Sequence, residues 1–250
     1  MNPYLKNLNR IEFVVTMACT GRCKHCSEGD HAHCTEHIDA DVAVKSIYTI
    51  CEHCAIESLM TFGGEALIFP DTVCAIHRAA KAAGIERRQL ITNGYFTTRR
   101  ERIGAVARDL AHSGVNEVLL SVDAFHQETI PLEPVVCFAE SAVVSGLPIE
   151  LSPAWLVSTA DDNPYNARTR ALLRAFEPLH IPVGDGNVVF PSGNALKYLR
   201  EYFDENATAS SPYDEDPRDI RAISFCENGD VLNGNVYKTD IAEIIRDYRP

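Results

Sequence analysis

Between Ile11 and Phe203 the chain alternates six times between an apolar run of strand length and a longer segment with helical spacing, and this pattern limits its fold more than any other feature. Strands are expected at Ile11 to Met17, Glu57 to Phe62, Gln89 to Thr92, Val115 to Val122, Ile149 to Val157 and Val183 to Phe190, the last interrupted by Gly184-Asp185-Gly186. The helices between and after them fall at Ala40 to Cys54, Asp71 to Ala83, Thr98 to Ser113, Glu133 to Ser145, Ala167 to Phe176 and Asn194 to Phe203. Such alternation requires a parallel sheet, because a right-handed crossover through a helix returns each strand in the same direction. Runs such as Val118-Leu119-Leu120 predict strands covered on both faces. Eight units close a barrel and six leave it open. A doubly wound sheet would carry a glycine fingerprint at its first strand-to-helix turn, and this chain carries cysteines there.

Those cysteines are Cys19, Cys23 and Cys26, placed where the first apolar run ends. A buried helical stripe would give the same spacing, but Thr20 followed by Gly21 makes a poor helix interior and a good loop. Thiolates are soft ligands that suit iron-sulfur clusters, zinc and copper(I). A structural zinc site is closed by four protein ligands, whereas a cubane held by three cysteines leaves one iron free of protein thiolate. Cys34, His31 and His33 are near enough in sequence to complete a zinc site, which is the competing assignment. Paired zinc-binding arms are the usual form of such sites, and no second arm is evident.

The CxxxCxxC spacing, with the ring of His25 just before the last cysteine, resembles the motif of the radical SAM enzymes. The resemblance spans about residues 11 to 203 and implies an α/β fold, a partial (β/α)6 TIM-type barrel. It implies that Cys19, Cys23 and Cys26 hold a [4Fe-4S] cluster whose open iron is chelated by S-adenosylmethionine (SAM), with His25 beside the cofactor. It implies that Gly63, Gly64 and Glu65 meet the amino group of SAM, although Ala66 stands where the family often has proline. Asn93, Ser121 and Asp123, at the ends of the third and fourth strands, are the expected contacts to its ribose or carboxylate. The implied chemistry is reductive cleavage of SAM to a 5′-deoxyadenosyl radical that takes a hydrogen from a small-molecule or peptide substrate. An electron donor such as flavodoxin or ferredoxin is the implied partner. A non-catalytic homologue serving as a partner protein is the other reading of the same motif.

In α/β barrels chemistry sits on the loops after the C-terminal ends of strands. Singly, Gly63-Gly64-Glu65, Thr92-Asn93-Gly94 and Ser121 to His126 each have an ordinary explanation as turns or caps. Their recurrence at one rim behind three thiols points to a site. His126 is a loop histidine beside that site, and Pro191-Ser192-Gly193 is either a border of the adenine or a plain turn. Cys51, Cys54, Cys74 and Cys137 fall in helical patterns, where cysteine serves as a small hydrophobe.

Residues 1–203 form the expected barrel, 204–219 an acidic linker or flap, and 220–250 a hairpin and helix. The tail around Phe225-Cys226 resembles the opening of the SPASM extension of peptide-modifying relatives. No cysteine follows Cys226, so one cluster is expected. A net charge of −12 disfavours nucleic acid as a partner. No apolar run reaches the length of a membrane helix, and Met1 to Arg10 lacks a signal-peptide pattern, so the expected compartment is the cytoplasm.

Overall fold

The parallel strands assemble in sequence order, and that order decides the architecture. The computed structural model describes residues 2–31 and 33–250; Met1, where the reading of the N-terminus begins, lies outside them. The elements are β1 (Arg10–Thr16), α1 (Ala40–Cys51), β2 (Ser58–Gly63), α2 (Pro70–Ala82), β3 (Arg87–Thr92), α3 (Arg100–Ser113), β4 (Glu117–Leu120), α4 (Leu132–Val144) and β5 (Ile149–Leu151). There follow β6 (Ala154–Trp155), α5 (Pro164–Leu173), β7 (Asn187–Val188), α6 (Gly193–Tyr198), β8 (Ala222–Phe225), β9 (Asp230–Val231), β10 (Gly234–Asn235) and α7 (Ile241–Asp247). The main sheet runs β10-β9-β8-β1-β2-β3-β4-β5, with every pair from β8 to β5 parallel.

From β1 to β5 each crossover steps the same way, so right-handed connections place α1 to α4 on one face. A doubly wound sheet would reverse direction and cover both. The fold is therefore a partial barrel of the α/β class, and the sheet does not close.

The expectation of strands covered on both faces is corrected. Ile11, Phe13, Leu59, Leu90, Val118 and Leu120 are fully buried and form one core with Ile47, Ile50, Val73, Ile76, Leu110 and Phe138 of the helices. The alternate residues line the concave face. There Ser224, Glu12, Met60, Gln89 and Glu117 lie side by side across five strands. The sequence hid this alternation because the next level of the concave face, with Val14, Phe62, Ile91 and Leu119, is apolar too.

The last two barrel strands are broken. Pro153 has no N–H to give, and it separates β5 from β6. Opposite it the sixth strand survives as a bridge between Leu151 and Val183 and as β7, which pairs with β6. Gly186 makes the second kink: its φ is +67°, and a Cβ there would overlap the Pro153 carbonyl.

The tail extends the sheet on the other side. β8 lies parallel to β1, and the Phe13 and Phe225 rings stack at 4.7 Å. A hairpin through β9 follows as expected, and β10 adds a further antiparallel strand. Asp240 caps α7 through the Ala242 N–H. Asn2 then closes the two ends of the chain by donating to the Ile245 and Tyr248 carbonyls, each at 2.9 Å. No described helix is long and apolar enough to cross a membrane.

Candidate functional site at the C-terminal rim

Strand β1 ends in a register shift between Val14 and Thr16, after which the chain enters the cysteine loop. The start of this loop is fixed by β2. Gly64 N–H donates to the Thr16 carbonyl at 2.7 Å and Glu65 N–H to the Ala18 carbonyl at 2.8 Å. A Cβ at Gly63 would overlap the Thr16 carbonyl, and one at Gly64 would overlap those of Met17 and Ala18. Both glycines are thus required by the neighbouring strand end, a reason the sequence does not reveal.

The end of the loop is fixed by α6. Asn194 donates from its backbone N–H to the Cys26 carbonyl at 2.9 Å and from Nδ2 to the Cys23 carbonyl at 3.1 Å. Ser192 Oγ donates to the Ser27 carbonyl at 3.1 Å, and a Cβ at Gly193 would lie 2.6 Å from the Cys26 carbonyl. The Pro191-Ser192-Gly193 turn therefore grips the cysteine loop. Sequence reading missed Asn194, because a Ser-Gly-Asn turn before a helix carries no sign of what it touches.

All nine cysteines are free thiols. Burial pushes the Cys19 thiol up to about 11, with Glu65 and Cys26 adding to the rise, and Cys23, the most enclosed, is raised further by burial, then Asp123, Cys19 and Cys26. Burial also raises Cys26. Backbone N–H groups oppose this. Gly21 N–H donates to Cys19 Sγ at 3.3 Å, and those of Glu28 and Gly29 favour the Cys26 thiolate. Three buried thiols, two of them supplied with backbone N–H donors, fit a cationic iron-sulfur centre, which would neutralise the thiolates.

The remaining expected residues surround this loop. Asn93, nearly buried, places Nδ2 3.7 Å from Cys19 Sγ and 3.3 Å from Thr20 Oγ1. Ser121, half-buried, donates its N–H to the Thr92 carbonyl at the head of β4. Glu65 is enclosed, with Thr92 Oγ1 and Leu67 N–H on Oε1 and Asn93 N–H on Oε2, between 2.7 and 2.9 Å. Burial pushes its carboxyl up to about 7 against the pull of these donors.

Asp123 has no exposed surface and faces inward. It accepts from the N–H groups of Phe125, His126 and Ala154 and from His126 Nδ1, the last at 2.7 Å. Burial alone would raise its carboxyl, but His126 and these donors outweigh that and hold it below the ordinary carboxylate range. His126 is correspondingly raised, despite its burial, by Asp123. His25 stacks obliquely on Phe125 at 4.9 Å and meets the His126 ring edge-on at 4.8 Å; burial, then His126, push it down to about 4. Phe125 stacks in turn on Tyr165 at 4.6 Å, so an aromatic column supports the loop from below. His31 Nε2 lies 3.5 Å from Cys26 Sγ.

A cavity of about 510 Å³ lies elsewhere. Asn9, Glu57 and Arg221 line it where β1, β2 and β8 begin. In a barrel of this kind the strand starts serve stability rather than chemistry.

The sequence model of the Radical SAM superfamily matches residues 13–142, and the chain belongs to that superfamily. Membership implies a [4Fe-4S] cluster and SAM as cofactors. Among curated relatives, the GTP 3′,8-cyclase of Moorella thermoacetica is 26% identical over 191 residues, covering 72% of this chain and 56% of that protein. The GTP 3′,8-cyclase of Clostridium perfringens strain 13 is 22% identical over 206 residues, covering 74% and 59%. This chain thus spans less than two thirds of either relative. Among solved structures, anSMEcpe with bound AdoMet superimposes with a TM-score of 0.59 at 12% identity, over 97% of this chain and 81% of that one. Streptococcus suis SuiB bound to S-adenosylmethionine gives 0.58 at 10% identity, over 96% and 66%. At these identities the structural likeness is one of fold.

Proposed function

We propose that this chain is a radical SAM enzyme that abstracts hydrogen from a small-molecule or peptide substrate. The observation that carries the proposal is the cysteine loop itself. Three free thiols stand together at the end of β1, and the loop is held at its start by Gly64 and Glu65 and at its end by Asn194. When bound, the cluster and SAM supply a one-electron cleavage of the sulfonium and a carbon radical able to take hydrogen. The chain's part is to hold and enclose them. Cys19, Cys23 and Cys26 are the cluster ligands, Gly63 to Glu65 border the SAM amino group, and Asn93 and Ser121 face its polar end. Asp123, with all its acceptors engaged inside the protein, acts through His126 rather than on SAM.

The concave face bears on the substrate. At the strand starts of that face Arg10 pairs with Glu12 at 2.7 Å, and Arg87 with Glu117 at 2.7 Å. The cyclase relatives support the shared barrel chemistry, and the substrate class proposed here stays a small molecule or a peptide.

Anaerobically reconstituted protein given SAM and dithionite should form 5′-deoxyadenosine, and Cys23→Ala should abolish it. Full product formation by Cys23→Ala would overturn the proposal. Deuterium passing from a candidate substrate into 5′-deoxyadenosine identifies the hydrogen taken.

A further inference from the structure

One constellation at the rim joins a cluster cysteine to two histidine rings that a three-cysteine cluster site does not use as ligands. Cys23 Sγ, a ring nitrogen of His25 and a ring nitrogen of His126 all lie within 4.8 Å of one another, the one such metal-holding group among the described residues. Ligand atoms on a single tetrahedral ion are separated by about 3–4 Å, given metal-ligand distances of about 2.0–2.3 Å. Sulfurs on different irons of a cubane are further apart. A group within 4.8 Å is nearer to the spacing of one ion's ligands than to that of a cubane.

The surroundings agree. His126 Nδ1 is taken by Asp123 at 2.7 Å, which leaves Nε2 as its free nitrogen. A carboxylate behind a histidine is the arrangement that fixes tautomer and ring orientation in metal sites. Asp123 is itself immobilised by three backbone N–H donors. His25 Nδ1 is buried without a hydrogen-bond partner among the described residues. The Cys23 thiolate and the Asp123 carboxylate together carry the charge that a divalent cation would neutralise.

We propose that, in the cluster-free chain, Cys23, His25 and His126 form a mononuclear site for a divalent transition metal such as Zn²⁺ or Co²⁺, with Asp123 orienting His126. Because Cys23 is shared, this site and the [4Fe-4S] cluster exclude one another, and the bound ion retards cluster assembly. In the competing zinc assignment Cys34, His31 or His33 completes a site begun by the three loop cysteines, whereas this site joins Cys23 to His25 and His126. The inference requires no catalysis and stands independently of the proposed enzyme activity.

The test is a Co²⁺ titration of cluster-free full-length protein under anaerobic conditions. One ion per chain is expected, with the visible bands of tetrahedral Co²⁺ and a thiolate-to-metal charge-transfer band. Cys23→Ser should remove the charge-transfer band. Asp123→Asn should weaken binding by about 10–100-fold, and His126→Ala, which removes the ligand itself, by at least as much. Cys19→Ala should bind Co²⁺ as the parent does while failing to assemble a cluster, and Cys34→Ala should be unaffected. Stoichiometric Zn²⁺ should slow iron-sulfur reconstitution, and a chelator should restore it. A Co²⁺ spectrum unchanged in both Cys23→Ser and His126→Ala, or lost equally in Cys19→Ala, would overturn the site.

Discussion

Gly64 shows how a residue can be legible while its reason is not. The Gly-Gly pair marks the rim in the sequence, and close approach to a ligand is the natural explanation. The structure supplies another, since the carbonyls of Met17 and Ala18 occupy the space of a Gly64 side chain. Gly64→Ala should therefore displace the start of the cysteine loop, at a cost of about 1–3 kcal/mol, and lower the iron bound per chain. Gly146 is a control of another kind. It has φ +67° and open space around it, so Gly146→Ala should cost only backbone strain of about 1–2 kcal/mol and leave iron content unchanged. Thermal unfolding and iron analysis of both variants separate the two effects.

His77 is a second residue whose role appears only in three dimensions. It lies under β2, fully buried, with Nε2 2.9 Å from Thr61 Oγ1, and burial followed by Arg88 pushes it from 6.5 down to about 3. The unfolded chain takes up a proton near pH 6.5 and the folded chain does not until near pH 3. Stability is therefore complete above the unfolded value and is lost as pH falls through this window, by up to about 1.4 kcal/mol per pH unit. His77→Gln should flatten the fall in urea midpoint between pH 6.5 and pH 4, whereas an unchanged slope would place the titration elsewhere.

At the level of elements, α6 and the turn before it determine whether the cysteine loop keeps its shape. Asn194→Ala removes the Nδ2 bond to the Cys23 carbonyl, a loss of about 1 kcal/mol, while the backbone bond to Cys26 remains. Gly193→Val is more severe, because its side chain would displace the carbonyls of Cys26 and Ser27. Gly193→Val should bind markedly less iron than Asn194→Ala, with the far-ultraviolet circular dichroism of both unchanged. Local pattern gave the helices to within a few residues, since amphipathic spacing and caps such as Asp39 on the Val42 N–H are encoded along the chain. It did not give the break in the fifth strand, which depends on Pro153 meeting Gly186 across two strands. Nor did it give the grip of Asn194 on the cysteines, which joins segments far apart in sequence.

At the scale of the molecule, β8 matters because it supplies the second neighbour of β1, the strand from which the cysteine loop springs. The sequence showed a hairpin near the C-terminus but not its partner, for β8 pairs in parallel with a strand more than two hundred residues earlier. Phe225 is fully buried against Phe13, and Phe225→Ala should cost about 3–5 kcal/mol, read as a lower urea midpoint. The barrel therefore presents its charged concave face and its rim as one unit, anchored at both sides of β1.

The central claim is that Cys19, Cys23 and Cys26 hold a four-iron cluster with one iron open to SAM. Electron paramagnetic resonance of the anaerobically reconstituted, dithionite-reduced protein, recorded with and without SAM, tests it most directly. The account predicts about four irons per chain and a reduced-cluster signal that changes on adding SAM. A signal indifferent to SAM, or one that persists when all three cysteines are replaced by alanine, would contradict it.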